Sequence, residues 1–459
     1  MGIPHFLAIP FLIPGHINPL IQLSNVLAKH GCKVTFLNTE YNYKRMKKAV
    51  AVTAQANNID DHDEDSSKMI RFVTLPDGLD PEDDRSDIGK VLGSMKKTMP
   101  CLLPNLIQDI NSLDSENKIS CILVTFNMSC VLEVGHKLGI KCAALFPFSA
   151  TGLVSLQFIP KLIHDGIIDS DGNPIKSEEI QIATNMPMMN PKHFLWCSLG
   201  KDFFNHIVQE MKTMELLAEW WLCNSTYDLE PGALSVSPRF LPIGPLMEPD
   251  DDNNNNRSSS FWPEDTTCLE WLDEQQPQSV VYVSFGSLAV TESNQFKELA
   301  LALDLIDKPF LWVVRPGKNE DKNNAFPNEF HGKKGKIVSW VPQKKILNHP
   351  AISCFISHCG WNSTIEGVCG GVPFLCWPFF VDQFLDKTYI CDVWKVGMEL
   401  EKDENGFISK EEIRKKVEQL LGDEGIRERS LKLKEATRKN VDEGGQSSKN
   451  IEKFVNWAK

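Results

Sequence analysis

The 459-residue sequence holds no run of about 18 or more apolar residues, the length a helix needs to cross a bilayer, so no membrane span is expected. Basic charge is scarce too: 48 Lys and Arg stand against 61 Asp and Glu, a formal net charge of -13. Such a surface repels a phosphate backbone or an anionic membrane, which excludes nucleic acid as a partner. The apolar N-terminus, residues 1–14, lacks the basic segment of a secretory signal and is interrupted by Pro4, Pro10 and Pro14; it reads as a buried strand. Metal-ligand spacing is missing. The 13 cysteines are odd in number, and Cys354, Cys359, Cys369 and Cys376, which share one region, follow no zinc pattern. Reduced thiols in a cytoplasmic protein without a metal or cofactor are the expectation. No G-x-G-x-x-G follows the first apolar run, which argues against a nicotinamide-dependent oxidoreductase.

What is present suits an α/β protein with two cores. The chain is 42% apolar and 24% charged, and it is too long for one ordinary domain. Phe6–Ile13 is an apolar run, Ile17, Leu20, Ile21, Leu27 and Ala28 follow at helical spacing, and Lys33–Asn38 is a second apolar run: a βαβ opening. Cys121–Phe126 and Cys142–Phe146 read as further buried strands. The intervening segments read as irregular, with solvated acidic loops at 60–65 and 80–87. Residues 247–262, with four consecutive asparagines and three serines, have little to bury and read as a linker. Strands at 279–285, 310–314, 337–339 and 354–357 then resume the alternation. The expected division is therefore 1–246, the linker 247–262, a second domain 263–438, and a terminal helix 439–459, each domain a doubly wound sheet.

The most constrained stretch runs from Trp340 to Gln383. It reads Trp-Val-Pro-Gln at 340–343, Ser-His-Cys-Gly-Trp-Asn-Ser-Thr at 357–364, then Glu366, Gly-Gly-Val-Pro at 370–373, Trp377, and Asp382-Gln383. A strand ending near Ser357 and a helix starting at Trp361 would present free main-chain N–H groups and the positive end of a helix dipole. That arrangement binds anions. Trp312 and Trp377 read as packing.

These residues, with Pro-Gly-His-Ile-Asn-Pro at 14–19, Leu-Cys-Asn-Ser-Thr-Tyr-Asp-Leu-Glu at 222–230, Pro-Ile-Gly-Pro at 242–245 and Phe-Gly-Ser at 285–287, resemble the plant family 1 UDP-dependent glycosyltransferases along nearly the whole chain. The resemblance implies the GT-B fold, two Rossmann-like domains facing each other across a cleft, with the acceptor on the first and UDP-glucose on the second. It implies that Trp340, with Val341, meets the uracil, that Gln343 lies near the ribose and that Glu366 binds the ribose hydroxyls. Ser287, His358, Asn362 and Ser363 would hold the diphosphate, and Trp361, Asp382 and Gln383 the sugar. The partners implied are a UDP-sugar and a small lipophilic acceptor, bound by a monomer.

The resemblance also makes His16 a general base that takes the acceptor's proton while the anomeric carbon inverts. The family orients this histidine with an aspartate, and here Thr125 stands at that position, with no carboxylate between Ser120 and Val131. Threonine can hydrogen-bond His16 but brings no charge to an imidazolium. Three readings follow: an acidic acceptor such as a phenol or carboxylic acid, another acid substituting for the aspartate, or a protein that binds UDP-sugar and transfers it poorly. Phe11, Phe126, Phe146 and Phe148 are the candidate acceptor lining, suited to a phenylpropanoid, flavonoid or terpenoid.

Overall fold

Among the described residues of a computed structural model of the chain, thirteen strands, every strand pairing parallel, form two separate sheets. The structure describes residues 2–56, 69–246, 262–287, 289, 292–315, 326, 327 and 329–459. It divides into one unit of Met1–Trp262 with Lys439–Lys459 and a second of Pro263–Arg438. Most of the linker read from the sequence, and the acidic stretch 60–65, lie outside the described residues.

The first unit carries β1 (His5–Ile9), β2 (Lys33–Thr39), β3 (Ile70–Leu75), β4 (Cys121–Thr125), β5 (Lys141–Phe146), β6 (Trp220–Cys223) and β7 (Phe240–Pro242), in the spatial order 3-2-1-4-5-6-7. Its central strands are buried along their whole length, as an all-parallel sheet covered by helices requires, and this is why they read as unbroken apolar runs. The run Phe6–Ile13 yields a shorter strand than expected. Pro10 has no N–H to give the ladder, and Pro14 takes the first position of the helix Pro14–Lys29, where its missing donor costs nothing. Two segments read as irregular are helical, Glu40–Ala56 and Ile88–Leu113, the latter capped by Asp87 accepting from Lys90 N–H at 3.0 Å. Nearby, Arg85 pairs with Asp77 at 2.7 Å rather than leaving 80–87 wholly to solvent.

The terminal helix Gln446–Ala458 belongs to this first unit. Phe454 lies 5.4 Å from the Phe6 ring, and the Ser447 hydroxyl and Asn450 amide donate to the carbonyls of Gly244 and Pro242 at 2.5 and 2.7 Å. The motif at 222–230 has a structural purpose as well. Glu230 is fully buried and accepts from Ala150 N–H at 2.9 Å, Thr151 N–H at 2.8 Å and the Ser225 hydroxyl at 2.7 Å. It thus caps the helix Ala150–Gln157 and ties it to the end of β6.

The second unit carries β8 (Val280–Ser284), β9 (Phe310–Val313), β10 (Gly335–Val338), β11 (Ile352–Ser357), β12 (Phe374–Cys376) and β13 (Gly397–Glu399), in the spatial order 10-9-8-11-12-13. Renumbered from its first strand, that is again 3-2-1-4-5-6, the doubly wound order of dinucleotide-binding sheets. Trp312 and Trp377 are buried in its core with Val281, Leu299 and Ile356.

Replacing Glu230 by alanine strands three donors in the interior and should lower the unfolding free energy by about 3–5 kcal/mol. Urea denaturation measures it; a loss below about 1 kcal/mol would show that the carboxylate is not the tie described.

Candidate functional site

In a doubly wound sheet the helices after the two central strands depart to opposite faces, and the carboxyl ends of those strands are left open to a ligand. In the second unit the central neighbours are β8 and β11. After β8 the chain turns through Phe285, Gly286 and Ser287; after β11 it turns through His358, Cys359 and Gly360 into the helix Trp361–Gly370. The imidazole of His358 packs against both turns. A Cβ on Gly286 or on Gly360 would stand 2.6 Å from its Nε2, and Gly286 also has φ +67°, so both positions need glycine. Burial, and then the positive charge of Arg315, lower the His358 pKa to about 4, so the ring is neutral at neutral pH. Arg315 itself donates to the carbonyls of Ser287 and Ala289 and fixes the turn after β8.

The helix Trp361–Gly370 has Gly360 as its N-cap residue, which brings no side chain to its N-terminus. Ser363 and Glu366 point to the same side as Gln343, whose amide nitrogen donates to both, at 2.9 and 2.7 Å, while its oxygen accepts from the Tyr282 hydroxyl at 2.9 Å. Trp340 is half-buried and Val341 buried, immediately before the helix that Gln343 begins. Burial raises the Glu366 carboxyl above its usual range, opposed by Lys344 and the Gln343 amide. Asn362 is half-buried one residue into the helix. Trp361 differs from a ring presented to a ligand: its indole is buried against Trp394, and it is the Trp361 main-chain N–H that meets Asp382. Burial pushes the Asp382 carboxyl up to about 6. Gln383 spends its side-chain oxygen on Phe379 N–H at 2.8 Å and Phe380 N–H at 3.2 Å, so its NH₂ group is what it can offer a ligand.

In the first unit the central neighbours are β1 and β4. His16 lies in the first turn of the helix after β1, and Thr125 is the last residue of β4. The Thr125 hydroxyl accepts from Phe11 N–H at 2.7 Å and lies 3.1 Å from Nδ1 of His16. Burial lowers the His16 pKa to about 3; a hydrogen bond to the main chain of Phe126 works in the opposite direction. The Phe11 ring meets the imidazole edge-on at 5.4 Å. Phe126, Phe146 and Phe148 form one cluster with centroids 5.4 to 6.0 Å apart. Phe146 is fully buried and packs on Trp221, leaving Phe126 and Phe148 as the members with some surface to offer.

With both strand-end sites described, the comparisons with known proteins can be read. The family model described as UDP-glucoronosyl and UDP-glucosyl transferase matches residues 183–440. The chain belongs to this family. UDP-glycosyltransferase 83A1 of Arabidopsis thaliana is 39% identical over the whole of this chain and 97% of its own length. The (R)-mandelonitrile beta-glucosyltransferase of Prunus dulcis is 33% identical over 94% of this chain and 92% of its own length. Among solved structures, a UDP-glucosyltransferase from Polygonum tinctorium capable of glucosylating indoxyl, in complex with 3,4-dichloroaniline, superposes with a TM-score of 0.79 at 26% identity, covering 100% of this chain and 99% of its own. The fold is GT-B, and the protein is a UDP-sugar-dependent glycosyltransferase.

Three residues of this glycosyltransferase bear on the sites without having been singled out by sequence. Arg315 ends an apolar run that read only as a strand, and Tyr282 lies inside another. Asp386, one helical turn beyond Asp382, is fully buried and its carboxyl meets that of Asp382. Among the described residues no group of three or more His, Cys, Asp or Glu is arranged to hold a metal, and no helix is long and apolar enough to cross a membrane.

Gly286→Ala should displace His358 and strain a left-handed turn, costing about 1–3 kcal/mol of stability. Calorimetric titration with UDP should show affinity reduced roughly tenfold or more. Unchanged UDP affinity in a folded variant would detach the β8 turn from nucleotide binding.

Proposed function

We propose that this enzyme transfers glucose from UDP-glucose to a hydroxyl or carboxyl group of a lipophilic plant small molecule, of phenylpropanoid, flavonoid or terpenoid type, with inversion at the anomeric carbon. The second unit takes the donor: Trp340 and Val341 meet the uracil, Gln343 and Glu366 the ribose, Ser287, His358, Asn362 and Ser363 the diphosphate, and Asp382 and Gln383 the glucose, with Trp361 holding Asp382 through its main-chain N–H. The start of the helix Trp361–Gly370 supplies the positive field for the diphosphate beside the neutral ring of His358. The first unit takes the acceptor, with His16 as general base and Phe11, Phe126 and Phe148 nearby. The Prunus dulcis relative is named for a beta-glucoside, the product of inversion on an α-linked donor.

The observation that carries the reading is the contact between His16 and Thr125 at the open ends of β1 and β4. Thr125 already accepts one hydrogen from Phe11, and the Phe126 main chain, whose carbonyl can only accept, also holds the ring. A general base needs hydrogen on Nδ1, given to the second lone pair of the Thr125 hydroxyl. Nε2 then keeps its lone pair for the acceptor's proton. As that proton moves, the acceptor oxygen bonds to the anomeric carbon and UDP leaves with the electrons of the broken C–O bond. No carboxylate supports the imidazolium that forms, so the ring is a weak base. An acceptor whose own hydroxyl is acidic needs less of it, which favours phenols and carboxylic acids over aliphatic alcohols.

UDP release measured with UDP-glucose and a panel of phenols and alcohols tests this directly. His16→Ala should reduce acceptor-dependent release by at least about 100-fold with UDP binding intact. Thr125→Asp supplies the missing charge and should raise turnover on an alcohol by roughly tenfold or more. Release that never depends on an acceptor would mark a UDP-sugar-binding protein without useful transfer, and an unchanged rate in folded Thr125→Asp would remove the dyad argument.

A further inference from the structure

Two residues beyond Thr125 the chain adopts a conformation that needs an explanation. Asn127 has φ 76°, in the left-handed region that asparagine tolerates better than most residues, and it is buried. Its side-chain oxygen lies 3.0 Å from Nε2 of His206, on the helix Lys201–Leu217. The other ring nitrogen of His206 lies 2.6 Å from Nζ of Lys96, on the helix Ile88–Leu113. A lysine nitrogen has only hydrogens to give, so Nδ1 of His206 must be the lone pair and Nε2 must carry the hydrogen. That hydrogen goes to Oδ1 of Asn127, and the amide orientation is thereby fixed. What Asn127 can present to a ligand is its pair of N–H groups.

The relay is built to stay in this state. Burial, and then Lys96, lower the His206 pKa to about 4, which keeps the ring neutral. Glu210, almost fully buried, balances the cation: Oε1 lies 3.6 Å from the lysine nitrogen and 3.9 Å from Nε2 of His206, while Oε2 accepts from Ser129 N–H at 3.0 Å. A cation at one end polarises each bond along the chain toward Asn127 and strengthens its amide as a donor. Two helices thus act on one amide, which follows β4 at the same strand end as Thr125. Two residues of chain reach no further than about 7 Å, so Asn127 lies beside the His16 pair.

We propose that Asn127 is a specificity-determining residue for the acceptor, donating to an oxygen of that molecule other than the one that is glycosylated. His206 and Lys96 are positioning residues that hold the amide. The proposal rests on the reading of the first unit as the acceptor site with His16 as its base. It implies that the acceptor is a lipophilic molecule with a second, hydrogen-bond-accepting oxygen, as in a methoxyphenol, and not a plain hydrocarbon alcohol.

Matched acceptors test it: 2-methoxyphenol against 2-ethylphenol, and 4-methoxyphenol against 4-ethylphenol, pairs of nearly equal shape that differ by an oxygen in place of a methylene. The wild-type enzyme should favour the methoxy member of at least one pair in kcat/KM, because a site with a donor rejects the analogue that leaves it unpaired. Asn127→Asp keeps the size, the backbone tolerance and the bond from His206 but replaces the donor by an acceptor. It should lower that preference on the order of tenfold, with the ethyl member and the KM for UDP-glucose little changed. His206→Phe, which frees the amide to turn, should move the ratio the same way by less. Equal use of both members of each pair by wild type, or an equal loss on both in Asn127→Asp, would overturn the proposal. A wild-type protein that releases no UDP with any of the four would overturn the transferase reading itself, and this inference with it.

Discussion

The hydroxyl of Thr125 is held from two sides, by the N–H of Phe11 at 2.7 Å and by Nδ1 of His16 at 3.1 Å, at the place where β1 and β4 leave their ends uncovered. Burial strips water from the imidazole and brings its pKa down to about 3, and among the described residues no charged partner counters it. The ring is consequently neutral, oriented by neutral groups, and poorly supported once protonated. The proposed preference for acidic acceptors and the effect expected of an aspartate at position 125 both derive from this one arrangement. A histidine paired with a carboxylate would pose a different chemical problem and select different acceptors.

The same topology serves two kinds of chemistry in the two units. At the ends of β8 and β11 a histidine is again buried and neutral, but there it is wedged against Gly286 and Gly360 beside a helix start, an arrangement suited to binding an anion. At the ends of β1 and β4 the histidine meets the Phe11 ring edge-on and is held by the Thr125 hydroxyl and the Phe126 main chain. What distinguishes the two is the local company, not the sheet that carries it.

Much of this was legible because parallel sheets leave plain traces. Cys121–Phe126 and Cys142–Phe146 read as strands within a residue of β4 and β5, since strands buried on both faces are unbroken apolar runs. The residues from Trp340 to Gln383 were legible because they lie within a single continuous stretch, from the helix that Gln343 begins through β11, the helix Trp361–Gly370 and β12. The long helices Glu40–Ala56 and Ile88–Leu113 were not. Their faces are mixed, and Pro100 and Pro104 inside the second argue locally for a break that packing overrides. β7, β12 and β13 are three residues each, too short for any period to show. Arg315 and His206 escaped notice for a different reason: each acts through partners far off in sequence, 28 residues from Ser287 for the first and 79 from Asn127 for the second. Spacing cannot announce such pairs.

The central claim is that His16 is neutral, with hydrogen on Nδ1, across the working pH range. Nitrogen-15 NMR of protein labelled at histidine, with the His16 signals assigned by their loss in His16→Gln, observes both properties at once. The account predicts a ring that does not titrate between pH 5 and 8 and whose Nδ1 bears the hydrogen throughout. A ring that titrates near 6.5, or one that carries its hydrogen on Nε2, would contradict it.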